Sequence, residues 1–166
     1  MLVIRKGCDL PRLLRVPLCG KSYSIIEWHL SCFPMLHMSI KVYIVDDRLE
    51  MRLLLRINLE KLSEGIDVCG EAESGEEALR NVVQASPDVV IADVNLPGMS
   101  GVELVAEIRR GIPNIKIIMA SMLGIEVFGA SALAAGADAV VSKTDMEKIP
   151  GIVRELVGCK VGKDAT

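Results

Sequence analysis

Lys41-Val42-Tyr43-Ile44-Val45 stops on Asp46-Asp47, and Asp88-Val89-Val90-Ile91-Ala92 stops on Asp93, with Asn95-Leu96-Pro97 close behind. Two later apolar runs end the same way. Residues 115–120 stop on Ser121, and residues 137–142 stop on Lys143. Short, nearly continuous Val/Ile runs are the mark of strands buried on both faces, as in a parallel sheet. Open parallel sheets take their ligands outside the carboxyl ends of the strands. If these four runs share one sheet, three carboxylates, a hydroxyl and an ammonium meet in one crevice.

From Ile40 onward, strand and helix signals alternate through five β-α units, which predicts an α/β fold with right-handed crossovers. Met51, Leu54, Leu55, Leu59 and Leu62 predict the buried stripe of the first helix, and Arg48, Arg52, Arg56 and Glu60 recur every four residues on a face read as solvated. The second strand is expected near 66–71. Ser74 with Glu77 and Ser100 with Glu103 each suit a capping box. The fourth helix, near 125–135, is Ala-rich and poor in charge, ends at Gly136, and can leave apolar surface uncovered. Thr144 with Glu147 could cap another helix, but Pro150 breaks one already under way, so a turn is expected first and the last helix from near Pro150.

The 166 residues suffice for one ordinary domain with some surplus. Half the chain is apolar, yet only five residues are aromatic, which suits a Val/Ile sheet covered by Leu/Ala helices. Net charge is -3, but Arg5, Lys6, Arg12, Arg15 and Lys21 make residues 1–37 basic, leaving an acidic remainder. That remainder has no clustered Lys/Arg stripe, which argues against direct nucleic-acid binding.

Residues 1–37 lack sustained periodicity and are broken by Pro11, Pro17 and Pro34. They read as an irregular extension, or as an over-long gene start before Met38. Five cysteines without a C-x-x-C pair read as reduced intracellular thiols. Cys8, Cys19, Cys32, His29 and His37 match no zinc spacing. With no apolar stretch of about 20 residues and no signal-peptide profile, the expected location is cytoplasmic, with no membrane association. Residues 38–158 form the expected domain. Residues 159–166 read as a polar tail, leaving no room for an output domain.

Taken singly, each rim residue has a plain structural explanation: Asp47 with Glu50 as a helix cap, Asp93 as a turn, Ser121 as a cap, Lys143 as a surface charge. The combination says more. The separations of 47, 28 and 22 residues between Asp46, Asp93, Ser121 and Lys143 each fit a whole number of β-α repeats. Carboxylates crowded together repel unless a cation neutralises them, and an all-oxygen set suits Mg²⁺. Beside such an ion Asp93 would be a nucleophile towards phosphorus. Lys143 would neutralise the equatorial oxygens, and Ser121 would donate a hydrogen bond once the group has arrived.

These residues resemble a known family. Residues 38 to about 158 are similar to the receiver domain of bacterial two-component response regulators, of the single-domain chemotaxis-regulator type. The likeness rests on Asp46-Asp47, the D-x-x-L-P-x-x-x-G run from Asp93 to Gly101, Ser121 after the fourth strand and Lys143 after the fifth. The resemblance implies a doubly wound, five-stranded parallel sheet of flavodoxin-like (β/α)5 form, with strand order 2-1-3-4-5. It implies that Asp93 takes a phosphoryl group from a histidine kinase or phosphotransfer protein. Asp47, Asp93 and the Asn95 carbonyl would hold Mg²⁺, with Asp46 acting largely through bound water. Such a module promotes only its own phosphorylation and dephosphorylation, and is otherwise no enzyme.

Three positions depart from the family pattern. Val140 replaces an aromatic switch residue, bulky Met122 follows Ser121, and Thr144 replaces a frequent proline after Lys143, so no cis peptide is expected. Added phosphate charge would draw the Ser121 loop inward and bias the surface of helix 4, strand 5 and helix 5, including Phe128, towards a downstream target or a second copy. The competing reading is a receiver-like scaffold that docks partners regardless of phosphate. A haloacid-dehalogenase-type phosphatase would need D-x-D after the first strand, whereas adjacent Asp46 and Asp47 should point to opposite sides. No P-loop is present.

Overall fold

In a computed structural model, residues 39–61, 63–122 and 124–158 are described. The expectations for residues 1–37, for the tail 159–166 and for Leu62 therefore lie outside the described residues. Elements alternate as β1 (Ile40–Val45), α1 (Leu49–Arg56, prolonged by a π turn over Ile57–Lys61), β2 (Ile66–Ala72), α2 (Gly75–Ala85), β3 (Val89–Asp93), α3 (Gly101–Gly111), β4 (Lys116–Ser121), α4 (Ile125–Ala135), β5 (Ala139–Ser142), a 3₁₀ turn (Lys143–Lys148) and α5 (Ile149–Val157).

The strands form one sheet in the order β2-β1-β3-β4-β5, and every neighbouring pair is parallel. Side chains alternate across each strand and divide the core in two. Tyr43 and Val45 join Leu104, Val105, Ile108, Phe128 and Ala132 on one face, while Ile40, Val42 and Ile44 join Leu55, Leu59, Ile149 and Val153 on the other. Helices cover both faces, which is why the strands read as continuous apolar runs.

Register sets the rim. Val45 pairs with Ala92, so the next residues, Asp46 and Asp93, leave the sheet side by side. Asp93 pairs with Ala120, and Ser121 with Ser142, which brings Ser121 and Lys143 to the same edge.

Several local expectations hold. Ser100 and Glu103 form a complete capping box, Gly136 ends α4 at φ 110°, and a 3₁₀ turn precedes α5, whose first turn contains Pro150. No cis peptide occurs among the described residues.

Others need correction. At Ser74 only half the box forms: its hydroxyl accepts from the Glu77 N–H, but Glu77 Oε2 takes the N–H of Glu73 instead. Leu54 is exposed, because successive helical residues turn by about 100° and Met51, Leu55 and Leu59 already fill the face against the sheet. Phe128 is buried in the core. The exposed apolar residues of α4 are Ile125, Val127 and Leu133.

The row of arginines on α1 is not a free solvated face. Arg52 and Arg56 both bond Glu71 near the end of β2, and Arg56 also pairs with Glu60. Glu71 is set by a bulge: Val42 pairs with Val68 but Tyr43 with Gly70, which leaves Cys69 extra. A Cβ at Gly70 would lie 2.5 Å from the Tyr43 ring, and the Tyr43 hydroxyl donates to the Glu71 carbonyl at 3.1 Å.

Candidate functional site

Among the described residues, the buried polar or charged side chains are Asp46, Asp93, Ser121 and Lys143. These are the rim residues singled out by strand endings, and each stands at or just beyond the end of a different strand. Lys143 is only 4% exposed. Its ammonium donates to Asp46 Oδ2 and lies 2.7 Å from Asp93 Oδ2.

Asp46 is held on every side. Its N–H donates to the Ala72 carbonyl, its Oδ1 accepts from the Arg48 N–H at 3.1 Å, and its own carbonyl accepts from Arg52 Nη1 at 2.7 Å. Asp47 follows in the turn and is exposed. The strand ends at Val45, so strand alternation no longer governs Asp46 and Asp47. Contrary to the expectation of opposed side chains, each can offer an oxygen to a common point. The carboxylates of Asp46, Asp47 and Asp93 present oxygens within 4.8 Å of one another.

Among the described residues, one ammonium pairs with two of these three carboxylates, which leaves the cluster short of positive charge. Asp93 Oδ1 is buried without a hydrogen-bond partner among the described residues, and an unmet buried acceptor costs roughly 1–3 kcal/mol, more when charged. An all-oxygen donor set with one orphaned carboxylate oxygen fits a hard divalent cation such as Mg²⁺.

The turn after β3 is also fixed. Gly101 opens α3 directly over the end of β3, where a Cβ would fall 1.9 Å from the Asp93 carbonyl oxygen. Its N–H donates to the Val94 carbonyl at 2.9 Å. Met99 N–H donates to Glu76 Oε1 at 3.0 Å, pinning the far side of the turn to α2. Asn95 lies exposed in this turn, two residues past Asp93. Ser121 is fully buried at the end of β4, and the next residue, Met122, is 56% exposed.

Sequence reasoning missed Arg52 and Glu71 as neighbours of the site. The available signal was the position of Arg52 one turn into the helix that leaves the acidic pair. Its pairing with β2 depended on the strand order.

Clustered carboxylates braced by a lysine stand at the carboxyl ends of the strands of a doubly wound parallel sheet, the place where this class of fold takes its ligands. The chain belongs to the response regulator receiver domain family, whose model matches residues 42–154. It is 37% identical over 106 residues to the chemotaxis protein CheY of Thermotoga maritima, covering 64% of this chain and 87% of that one. It is 36% identical over 104 residues to the response regulator GacA of Pseudomonas syringae, covering 63% of this chain but only 48% of GacA. Among solved structures, it is similar to the CheX-CheY-BeF3-Mg²⁺ complex of Borrelia burgdorferi, with a TM-score of 0.65 and 28% identity, covering 70% of this chain and 88% of that one. The chain thus spans most of a CheY and about half of a GacA. No helix among the described residues is long and apolar enough to cross a membrane.

Proposed function

We propose that this protein is a stand-alone phosphoacceptor response regulator that takes a phosphoryl group on Asp93 and signals by contact with a partner. The carrying observation is the Asp93 carboxylate: one oxygen is paired with Lys143, and the other is buried beside Asp46 and Asp47 with no partner among the described residues.

The donor is a phosphohistidine of a histidine kinase or phosphotransfer protein. An Asp93 oxygen attacks phosphorus, a P–O bond forms, and the P–N bond breaks with its electron pair returning to the imidazole, which takes up a proton. Water later cleaves the acyl phosphate to inorganic phosphate and restores the carboxylate. Apart from this self-directed cycle the protein turns over no substrate.

Lys143 neutralises charge on the phosphoryl oxygens and holds the acceptor in place. Asp47, Asp93 and the Asn95 carbonyl would hold Mg²⁺. Asp46 would act through water, consistent with both its oxygens already accepting from Arg48 and Lys143. When bound, the ion supplies charge neutralisation that lets the carboxylates and phosphate approach. Ser121 donates to a phosphoryl oxygen, coupling occupancy to the β4–α4 turn and to the surface of α4, β5 and α5. That surface binds the downstream target or a second copy. The protein acts in the cytoplasm, without direct contact with nucleic acid or membrane.

One observation favours the scaffold reading. Val140 lies partly buried against the core and gives β5 no aromatic ring to reorient at that position. Amide spectra of the full chain with Mg²⁺, with and without beryllofluoride, separate the two. The switch reading expects shifts at Asp93, Ser121 and Lys143 that spread into α4 and β5 and vanish in Asp93→Asn. No shift, or equal shifts in that variant, contradicts it.

A further inference from the structure

Asp46 and Asp47 leave β1 in a turn, and a turn alone leaves two adjacent carboxylates free to point in several directions. Here its direction is imposed from outside. Arg52 Nη1 donates to the Asp46 carbonyl at 2.7 Å, while its Nε meets Glu71 Oε2 at 3.3 Å. The Arg52 side chain is 13% exposed and that of Glu71 22%, so both are largely withdrawn from water.

Glu71 is fixed independently. Its other carboxylate oxygen binds Arg56 at 2.6 Å, and its carbonyl accepts from the buried Tyr43 hydroxyl. A line of contacts therefore runs from the β1–β2 bulge through Glu71 and Arg52 to the backbone of the acidic pair. None of these groups belongs to the carboxylate cluster.

We propose that Arg52, braced by Glu71, is a positioning residue that sets the direction of the Asp46–Asp47 turn and so governs how tightly the carboxylate cluster holds a divalent cation. The inference rests on the metal-dependent reading of the site given above. Arg52 acts through a backbone carbonyl, so the identity of its side chain matters for geometry: a guanidinium can donate to the carbonyl and to Glu71 at once, whereas an ammonium on a flexible stem satisfies both less well. Groups that orient metal ligands typically change affinity by about 10–100-fold when removed.

The test is calorimetric titration of the full chain with Mg²⁺, alongside amide spectra of residues 46 and 47, for wild type, Arg52→Ala, Arg52→Lys and Glu71→Gln. Arg52→Ala is expected to weaken Mg²⁺ binding by roughly tenfold or more at a temperature where the protein remains fully folded. Arg52→Lys should recover part of that loss. Glu71→Gln, which leaves Arg52 in place but loosens its brace, should weaken binding in the same direction by less. It keeps the inference testable if Arg52→Ala does not fold. Wild-type affinity in Arg52→Ala or, should that variant fail, in both Arg52→Lys and Glu71→Gln overturns the role of Arg52 alone. Absence of Mg²⁺ uptake by the wild type overturns the metal-dependent reading together with it.

Discussion

Lys143 Nζ lies 2.7 Å from Asp93 Oδ2 and at the same time donates to Asp46 Oδ2, so one buried ammonium joins two carboxylates from the ends of different strands. Removing it would leave both acids buried and uncompensated. Breaking a buried pair by deleting one partner costs about 3–5 kcal/mol. Lys143→Ala should therefore lose stability of that order in urea unfolding with chelator present, and added Mg²⁺ should restore part of it. The phosphorylated variant should also fail to gain partner affinity. Wild-type affinity in that state would contradict the coupling role.

Ser121 sits at the end of β4, fully buried. Ser121→Ala should leave phosphoryl uptake largely intact while weakening the spread of beryllofluoride-induced amide shifts into α4 and β5. Shifts of unchanged extent would count against the assigned part of Ser121.

Gly101 has no room for a side chain, because a Cβ would stand 1.9 Å from the Asp93 carbonyl oxygen. Gly101→Ala must push α3 away from β3, at a cost of about 1–3 kcal/mol. It should also slow phosphoryl uptake by displacing Asp93. Thermal unfolding and labelling rate measured on the same preparation check both, and an unperturbed rate would detach Gly101 from the site.

Asp138 joins the start of β5 to its surroundings. Burial pushes its pKa up, but the Ile117 N–H, Arg109 and Lys116 outweigh that and hold it below the ordinary carboxylate value. A lowered folded pKa gives stability that is present above the unfolded value of about 3.9 and is lost as pH falls through the folded one. Asp138→Asn should thus cost about 1–2 kcal/mol at neutral pH, with the gap from wild type closing in acid. A gap that stays constant from neutral pH to well below that value would show that the charge of Asp138 contributes nothing.

The strand endings make the rim legible in the sequence. Buried parallel strands must be apolar along their length, so the polar residue that ends each run stands out, and Asp46, Asp93, Ser121 and Lys143 all proved to be buried polar residues of the edge. The bounds of α4 and the turn before α5 followed from Gly136 and Pro150. Contacts that depend on three-dimensional neighbours were not legible. Arg52 reads as solvent-facing because helical periodicity knows nothing of Glu71 on the adjacent strand. Phe128 reads as surface because an Ala-rich helix with little charge gives no clear inner face. Asp46 and Asp47 read as opposed because the apolar run alone does not show that β1, and with it the alternation of side chains, ends at Val45.

The most direct measurement is intact-mass analysis of the full chain after exposure to a small-molecule phosphodonor, with Mg²⁺ and with chelator, for wild type and Asp93→Asn. The account predicts one added phosphoryl group on the wild type only when Mg²⁺ is present, and none on Asp93→Asn. A wild-type chain that never takes up phosphate, or an Asp93→Asn chain that takes it up equally well, would contradict it.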